Sequence, residues 1–257
     1  MKRQGDDSGQ AGVPPVGWDD YRWLLGPEGE AWLCRAAEDP REPLAVAGAL
    51  RRDLSAARTH LVLQQTELRR RAASKFTHAN RMFFTRVGLE QATDECVAAH
   101  KAARFPSQGR RVDLCCGIGG DLMALAARGP ALGVDRDRVT ALFAAENLRR
   151  CGLVDSGVVV ADAADAALDA ATFWHVDPDR RCDGRRSIQL RWHSPNEAAI
   201  DAFRARSPDG AVKLAPAAVV PEAWRGEAEL EWISREGQCR QQVAWFGRLA
   251  HSPGLRR

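Results

Sequence analysis

Hydrophobic and polar positions follow two different periods on either side of Arg111. Before it the apolar residues recur at helical spacing. Trp18, Tyr21, Trp23, Leu24 and Leu25 begin an apolar helical patch. GPEGEAWLCRAAED predicts a helix, with Pro27 near its start and acids in its first turn. PLAVAGALRRDL predicts a second helix and LVLQQTELRRRAASKF a third. The third carries Leu61, Leu63, Leu68 and Ala72 roughly on one side, and its arginines fall late, where the helix dipole favours cations. KFTHANRMFFTRVGLEQAT lacks helical periodicity and is expected to be a structured connection. DECVAAHKAARF resumes a helix, with Thr93 as its expected N-cap and acids in the first turn.

After Arg111 short apolar runs alternate with amphipathic ones. Val112–Leu114 predicts a strand, followed by a glycine-rich turn and the helix DLMALAARG. ALGVD, GVVVADA, TFWHVDP and GAVKLAP predict four more strands, with RVTALFAAENLRRCG and NEAAIDAFRAR as helices between them. AELEWISREG and CRQQVAWFG then follow as strands with no helix between them. Alternating strands and helices imply a parallel α/β sheet. The closing hairpin implies an antiparallel strand added at one edge. Residues 1–15 are rich in Gly, Asp, Ser and Gln, bury little, and read as a disordered tail.

Composition narrows the class without naming a function. The chain has 257 residues, of which 45% are hydrophobic and 28% charged, which is enough apolar mass for a core. A net charge of only +3 does not by itself mark a nucleic-acid binder. The seven cysteines include no CxxC pair, so neither a zinc site nor a disulfide framework is expected, and no metal is expected. No apolar run approaches the roughly 20 residues of a membrane span, and the polar N-terminus has no apolar signal core. These features describe a reduced, cytoplasmic protein.

The stretch VDLCCGIGGDLMALAARGPALGVDRD carries the candidate chemistry. Gly117, Gly119 and Gly120 lie between a strand and a helix, where glycine permits a tight turn and close approach of a ligand to the backbone. The helix start adds free N–H groups and a positive dipole end. Asp135 closes the next strand, placed to accept hydrogen bonds from ribose hydroxyls. An NAD site prefers G-x-G-x-x-G, and the sixth position here is Leu122.

The pattern Asp113 through Gly117-Ile118-Gly119-Gly120-Asp121 instead resembles the first motif of class I S-adenosylmethionine (SAM)-dependent methyltransferases. That resemblance implies a cofactor site of Asp113, Cys115, Gly117, Gly119, Gly120, Asp121, Asp135 and Asp162. Asp162 corresponds to the position that meets the adenine amino group. Cys115 and Cys116 stand where the family has small residues and read as strand-end packing. Asp177 and Pro178, after the fourth strand, correspond to the place where substrate and methyl group meet. RMFFTRVGLEQAT, DLCCGIGGD, VDPDRR with GRR, AVKLAP and CRQQVAWFG together resemble the bacterial methyltransferase family that carries a THUMP-like C-terminal domain, and more distantly trimethylguanosine synthase.

The resemblance implies a Rossmann-like, mostly parallel seven-stranded sheet with a closing antiparallel strand, preceded by an N-terminal helical region. Its expected bounds are 16–80 for the helical region and 81–257 for the methyltransferase domain, with the THUMP-like domain absent or truncated. RNA is the expected acceptor. Asp177-Pro178-Asp179-Arg180 lacks the second proline and the aromatic of amine methylases, so adenine- or guanine-amine chemistry is not directly supported; Asp177 is the expected residue that orients or deprotonates the acceptor. Arg180, Arg181, Arg185 and Arg186 are placed to meet phosphates, and Phe84, beside the basic LRRRAASKF stretch, to stack on a base. Glu90 and Gln91 are expected at the cofactor entrance, and His175 as a packed residue. The rival readings are an NAD-dependent oxidoreductase and a non-catalytic SAM-fold scaffold.

Overall fold

The computed structural model describes residues 15–179 and 189–257, with the backbone of two short strands at 181–182 and 185–186. It divides into two compact units, one ending at Arg71 and one beginning at Ala72. Of the expected tail at residues 1–15, residues 1–14 lie outside the described residues.

The first unit contains α1 (Trp18–Leu25), α2 (Pro27–Glu38), α3 (Pro43–Leu50) and most of α4 (Ala56–Ala72). Helix α4 starts five residues before the expected run because the Ser55 hydroxyl accepts from the Arg58 N–H and caps it. Ion pairs from Arg58 to Asp20 (3.2 Å) and from Arg69 to Glu30 (3.5 Å) join α4 to α1 and α2.

The second unit opens with α5 (Arg86–Gln91) and α6 (Glu95–Ala102). Asp94, rather than Thr93, caps α6: its carboxylate accepts from the Val97 N–H. There follow β1 (Arg110–Leu114), α7 (Gly120–Ala126), β2 (Ala131–Asp135), α8 (Arg138–Arg150), β3 (Gly157–Val160) and β4 (Thr172–Val176). A small antiparallel pair, β5 (Arg181–Cys182) and β6 (Arg185–Arg186), precedes α9 (Glu197–Arg206), β7 (Gly210–Leu214), β8 (Glu229–Arg235) and β9 (Gln238–Trp245). No described helix is long and apolar enough to cross a membrane.

The seven-stranded sheet has the order β3-β2-β1-β4-β7-β9-β8. The first five strands are parallel, and β9 runs antiparallel to both of its neighbours. The antiparallel strand is therefore not the edge. The hairpin folds back so that β9 lies inside and β8 outside, where residues near the C-terminus pair with β8 through Leu230 and Trp232. Strand β4 is buried along its whole length, as a central parallel strand requires. Trp174 and Val176 join one core with Val112 and Leu114, while Phe173 joins the core on the other face with Phe105, Leu122 and Trp245.

The aromatic segment before α5 is fixed by one side chain. Asn147 on α8 is fully buried; its Oδ1 accepts from the Phe83 N–H (2.7 Å), and its Nδ2 donates to the carbonyls of Phe83 (3.0 Å) and Ile118 (2.9 Å). Asn147→Ala strands these backbone groups in an apolar interior. It is expected to cost about 2–3 kcal/mol and to lower the thermal midpoint by about 5–10 °C. A midpoint unchanged from wild type would contradict this role.

Candidate functional site

Helical connections carry the chain outward from β1 through β2 to β3, and it then returns to β4 on the other side of β1. At such a reversal the loops after neighbouring strands diverge and leave a crevice at the C-terminal ends of the strands. Here the crevice is a cleft of about 460 Å³. Its walls come from the ends of β1, β2, β3, β4 and β7 and from α5 with the residues after it.

The turn after β1 depends on left-handed backbone. Cys115, Gly117 and Gly119 have φ of 65°, 57° and 93°, and Gly119 is the N-cap of α7. A side chain at Gly120 would fail for another reason, since its Cβ would lie 2.9 Å from the Thr93 carbonyl oxygen. Asp135 fastens the turn from the neighbouring strand: its Oδ2 accepts from the Gly117 N–H and its Oδ1 from the Asp137 N–H, both at 2.9 Å. Burial pushes the Asp135 carboxyl up, opposed by these two N–H donors.

Beneath the turn lies a buried chain of polar side chains. The β1–β4 register sets Asp113 beside His175, and Asp113 Oδ1 is 2.7 Å from His175 Nδ1. His175 Nε2 is 3.2 Å from Lys101 Nζ, and Lys101 pairs with Asp121 Oδ1 at 2.7 Å. The Thr93 hydroxyl donates to Asp121 Oδ2 (2.7 Å). Because the ammonium has only protons to offer, His175 Nε2 accepts, and Nδ1 carries the proton donated to Asp113. Burial pushes Asp113 up, against the pull of His175, and pushes Lys101 down, against the pull of Asp121. For Asp121 burial acts upward too, but the Lys101 ammonium, with Lys213 farther off, outweighs it and holds the carboxyl well below its usual range. Asp113 lines the cleft, and its Oδ2 is buried with no hydrogen-bond partner among the described residues.

Across the cleft Asp177 Oδ2 pairs with Lys213 Nζ at 2.5 Å, and Lys213 also donates to the Gln91 carbonyl at 3.3 Å. Pro178 is buried. Asp162 spends one oxygen on the Ala164 N–H (2.9 Å) and is otherwise exposed.

Of the residues expected at a cofactor, Asp113, Cys115, Gly117, Gly120, Asp121, Asp135 and Asp162 line the cleft, as do Asp177, Pro178, His175 and Gln91. Gly119 and Glu90 do not. Asp121 faces Lys101 and Thr93, so its carboxylate serves the turn itself. Burial pushes the Cys115 and Cys116 thiols up, and Cys116 packs toward Gly133 as an inert strand-end residue.

Phe84 is a correction. It is 0% exposed and packs on Phe76 with ring centroids 5.9 Å apart, so no base can reach it. Lys75, in the basic stretch beside it, donates to the carbonyls of Leu89, Glu90 and Ala92 and closes α5. Arg180 lies outside the described residues, as do the side chains of Arg181, Arg185 and Arg186.

The sequence does not single out Lys101, Lys213 or Asn147, and it marks Thr93 only as a helix cap. Lys101 left a trace there: it occupies the buried stripe of α6 with Val97, Ala98 and Ala102, where an apolar residue belongs.

These elements define a class I methyltransferase fold, and a known structure shares it. A protein of Porphyromonas gingivalis W83 provisionally named a methyltransferase aligns with a TM-score of 0.64 at 16% identity, over 85% of this chain and 56% of that one. The present chain thus spans little more than half of its length. An RNA methyltransferase from Salinibacter ruber in complex with S-adenosyl-L-homocysteine aligns over 62% of this chain and 94% of that one, at 16% identity and a TM-score of 0.43. Residues 17–72 match a family described as a domain of unknown function (DUF8688). No curated protein matches the chain.

Lys101→Met leaves Asp121 without its cation in a buried site and is expected to cost about 3–5 kcal/mol. Lys101→Met combined with Asp121→Asn should be more stable than Lys101→Met alone. The depressed Asp121 value contributes stability above the unfolded carboxylate pKa, which is lost as the pH falls through the folded value. In the single variant Lys101 no longer opposes burial, and that value rises. Its deficit relative to wild type should therefore narrow as the pH is lowered from about 7 to about 3. Denaturant unfolding of the three proteins across this range checks both points. A double variant no better than the single one, or a deficit independent of pH, would contradict the pairing.

Proposed function

We propose that this chain is a SAM-dependent methyltransferase acting on RNA, a bacterial cytoplasmic enzyme of the kind whose relatives carry a THUMP-like domain. The observation that carries the reading is the cleft itself. One wall is an open glycine turn tied to Asp135, and in its floor Asp113 holds a buried oxygen with no partner among the described residues. SAM fits this donor set. Its ribose hydroxyls suit the remaining lone pairs of Asp135, its adenine amino group suits Asp162, and its ammonium suits Asp113 Oδ2. A Cβ at Gly117 would meet nothing within 4 Å, so the backbone there is open to close approach. When bound, SAM supplies an electrophilic methyl group.

The chain's own residues then position the acceptor. Asp177, pinned by Lys213, is a fixed hydrogen-bond acceptor at the end of β4 and orients an N–H or O–H of the substrate. Arg180, Arg181, Arg185 and Arg186 supply phosphate contacts on the sequence reading. Leu122 counts against a nicotinamide cofactor. It is fully buried, and a Cβ at Gly133 on β2 would lie 2.5 Å from its Cδ2. The small residue that lets helix and strand approach is thus on β2, not in the helix as in a dinucleotide turn.

Calorimetry with S-adenosylhomocysteine is expected to give binding that Asp135→Ala weakens tenfold or more, about 1.4 kcal/mol. Asp177→Ala should keep that affinity and abolish methyl transfer from labelled SAM to bulk RNA. Absence of cofactor binding to folded wild type would overturn the reading. Binding without transfer to any RNA would favour the scaffold alternative.

A further inference from the structure

Beyond β4 the chain makes an excursion and returns to the cleft. Asp179 and Ser194 exchange both backbone hydrogen bonds at 2.9 Å and close its base, and Ser194 and Pro195 line the cleft. On the return limb Leu190–Trp192 forms a single 3₁₀ turn. Leu190 is buried in the core, which fixes the turn, while Trp192 is 53% exposed. It is the most exposed of the chain's eight tryptophans; Trp174, Trp224 and Trp245 are fully buried. Leaving an indole half in water forgoes much of the apolar burial it could contribute.

Two features hold the ring in place. Trp192 Nε1 donates to Gln189 Oε1 (3.3 Å), and the Arg191 guanidinium lies 5.4 Å from the ring centroid. A second cation, exposed Arg136, lines the cleft and donates to Ser194 Oγ (3.4 Å). Just before the cleft-lining Ser194 the return limb therefore presents an exposed aromatic ring with the Arg191 guanidinium beside it, and Arg136 reaches the same limb from the cleft.

We infer that Trp192, with Arg191 beside it, is a stacking platform for an unpaired base of a single-stranded RNA whose reacting nucleotide occupies the adjacent cleft. This rests on the RNA reading and names the residue that the buried Phe84 cannot be. An RNA strand supplies both things the surface asks for, a π face for the indole and phosphates for the guanidiniums. An acidic peptide supplies only the charge. Among the described residues the cations here, Arg191 beside the ring and exposed Arg136 on Ser194, agree with an anionic partner.

The test is fluorescence anisotropy of a labelled, mixed-sequence single-stranded RNA of roughly 12 nucleotides, with the full chain saturated in S-adenosylhomocysteine. Wild type is expected to bind. Trp192→Ala should weaken binding about tenfold, and Trp192→Phe should stay within about threefold of wild type because it keeps a π face. Both variants should retain the wild-type thermal midpoint and cofactor affinity. Equal binding by Trp192→Ala, or a loss in Trp192→Phe as large as in the alanine variant, overturns the platform and leaves the RNA reading standing. Displacement by poly-glutamate as effective as by unlabelled RNA also overturns it, because the surface then reads charge alone. Cofactor binding without RNA binding by wild type removes the RNA reading and this inference together.

Discussion

The ion pair between Lys101 and Asp121 is the constraint on which the cleft rests. It is nearly dry, with both side chains less than a tenth exposed, and it joins α6 to the first turn of α7. An ammonium and a carboxylate that far from water are tolerable only as partners, and each must also satisfy its other valences. Asp121 does so through the Thr93 hydroxyl, and Lys101 through His175, which passes the connection to Asp113 on β1. One chain of polar contacts therefore spans α6, α7, β4 and β1 directly beneath the glycine turn. Its geometry sets where the turn sits and which oxygen of Asp113 is left for the cleft.

The segment before and within α5 is shaped to the same turn. A Cβ at Gly88 would lie 2.5 Å from Ile118 Cγ2, and one at Gly120 would meet the Thr93 backbone, so segment and turn touch with nothing to spare. Asn147 holds Phe83 and Ile118 together from the far side. Phe83 and Phe84 thus serve as an anchor in the interior, and the exposed aromatic on the limb that returns to the cleft is Trp192. Asp177 and Lys213, at the ends of β4 and β7, complete the opposite wall from the sheet itself. Rigid strands place the groups that would meet the acceptor, and a well-fixed turn places those that would meet the cofactor.

Much of this was legible in the sequence because it is local. The strands announce themselves as short apolar runs, and the glycines and Asp135 keep the spacing of a nucleotide turn whatever the rest of the chain does. What was not legible depends on register and on which face a residue presents. The pairing of Asp113 with His175 follows from the alignment of β1 with β4, two strands separated by two helices and two further strands. Lys101 is one of only four lysines in the chain, and its place on the apolar stripe of α6 is the clue to its burial. Phe84 misled for the converse reason: a basic run with aromatics nearby looks like a binding surface until burial is known. The antiparallel strand was expected at the edge because a hairpin's second strand can lie on either side of its first, and only pairing with β7 decides.

A crystal structure with S-adenosylhomocysteine bound tests the central claim most directly, that the buried Lys101–Asp121–His175–Asp113 chain presets a cofactor cradle. The account predicts the ribose at Asp135, the amino-acid end at Asp113 Oδ2, and the polar chain unmoved. A ligand bound elsewhere, or one that reaches the cleft only after Lys101 and Asp121 separate, would contradict it.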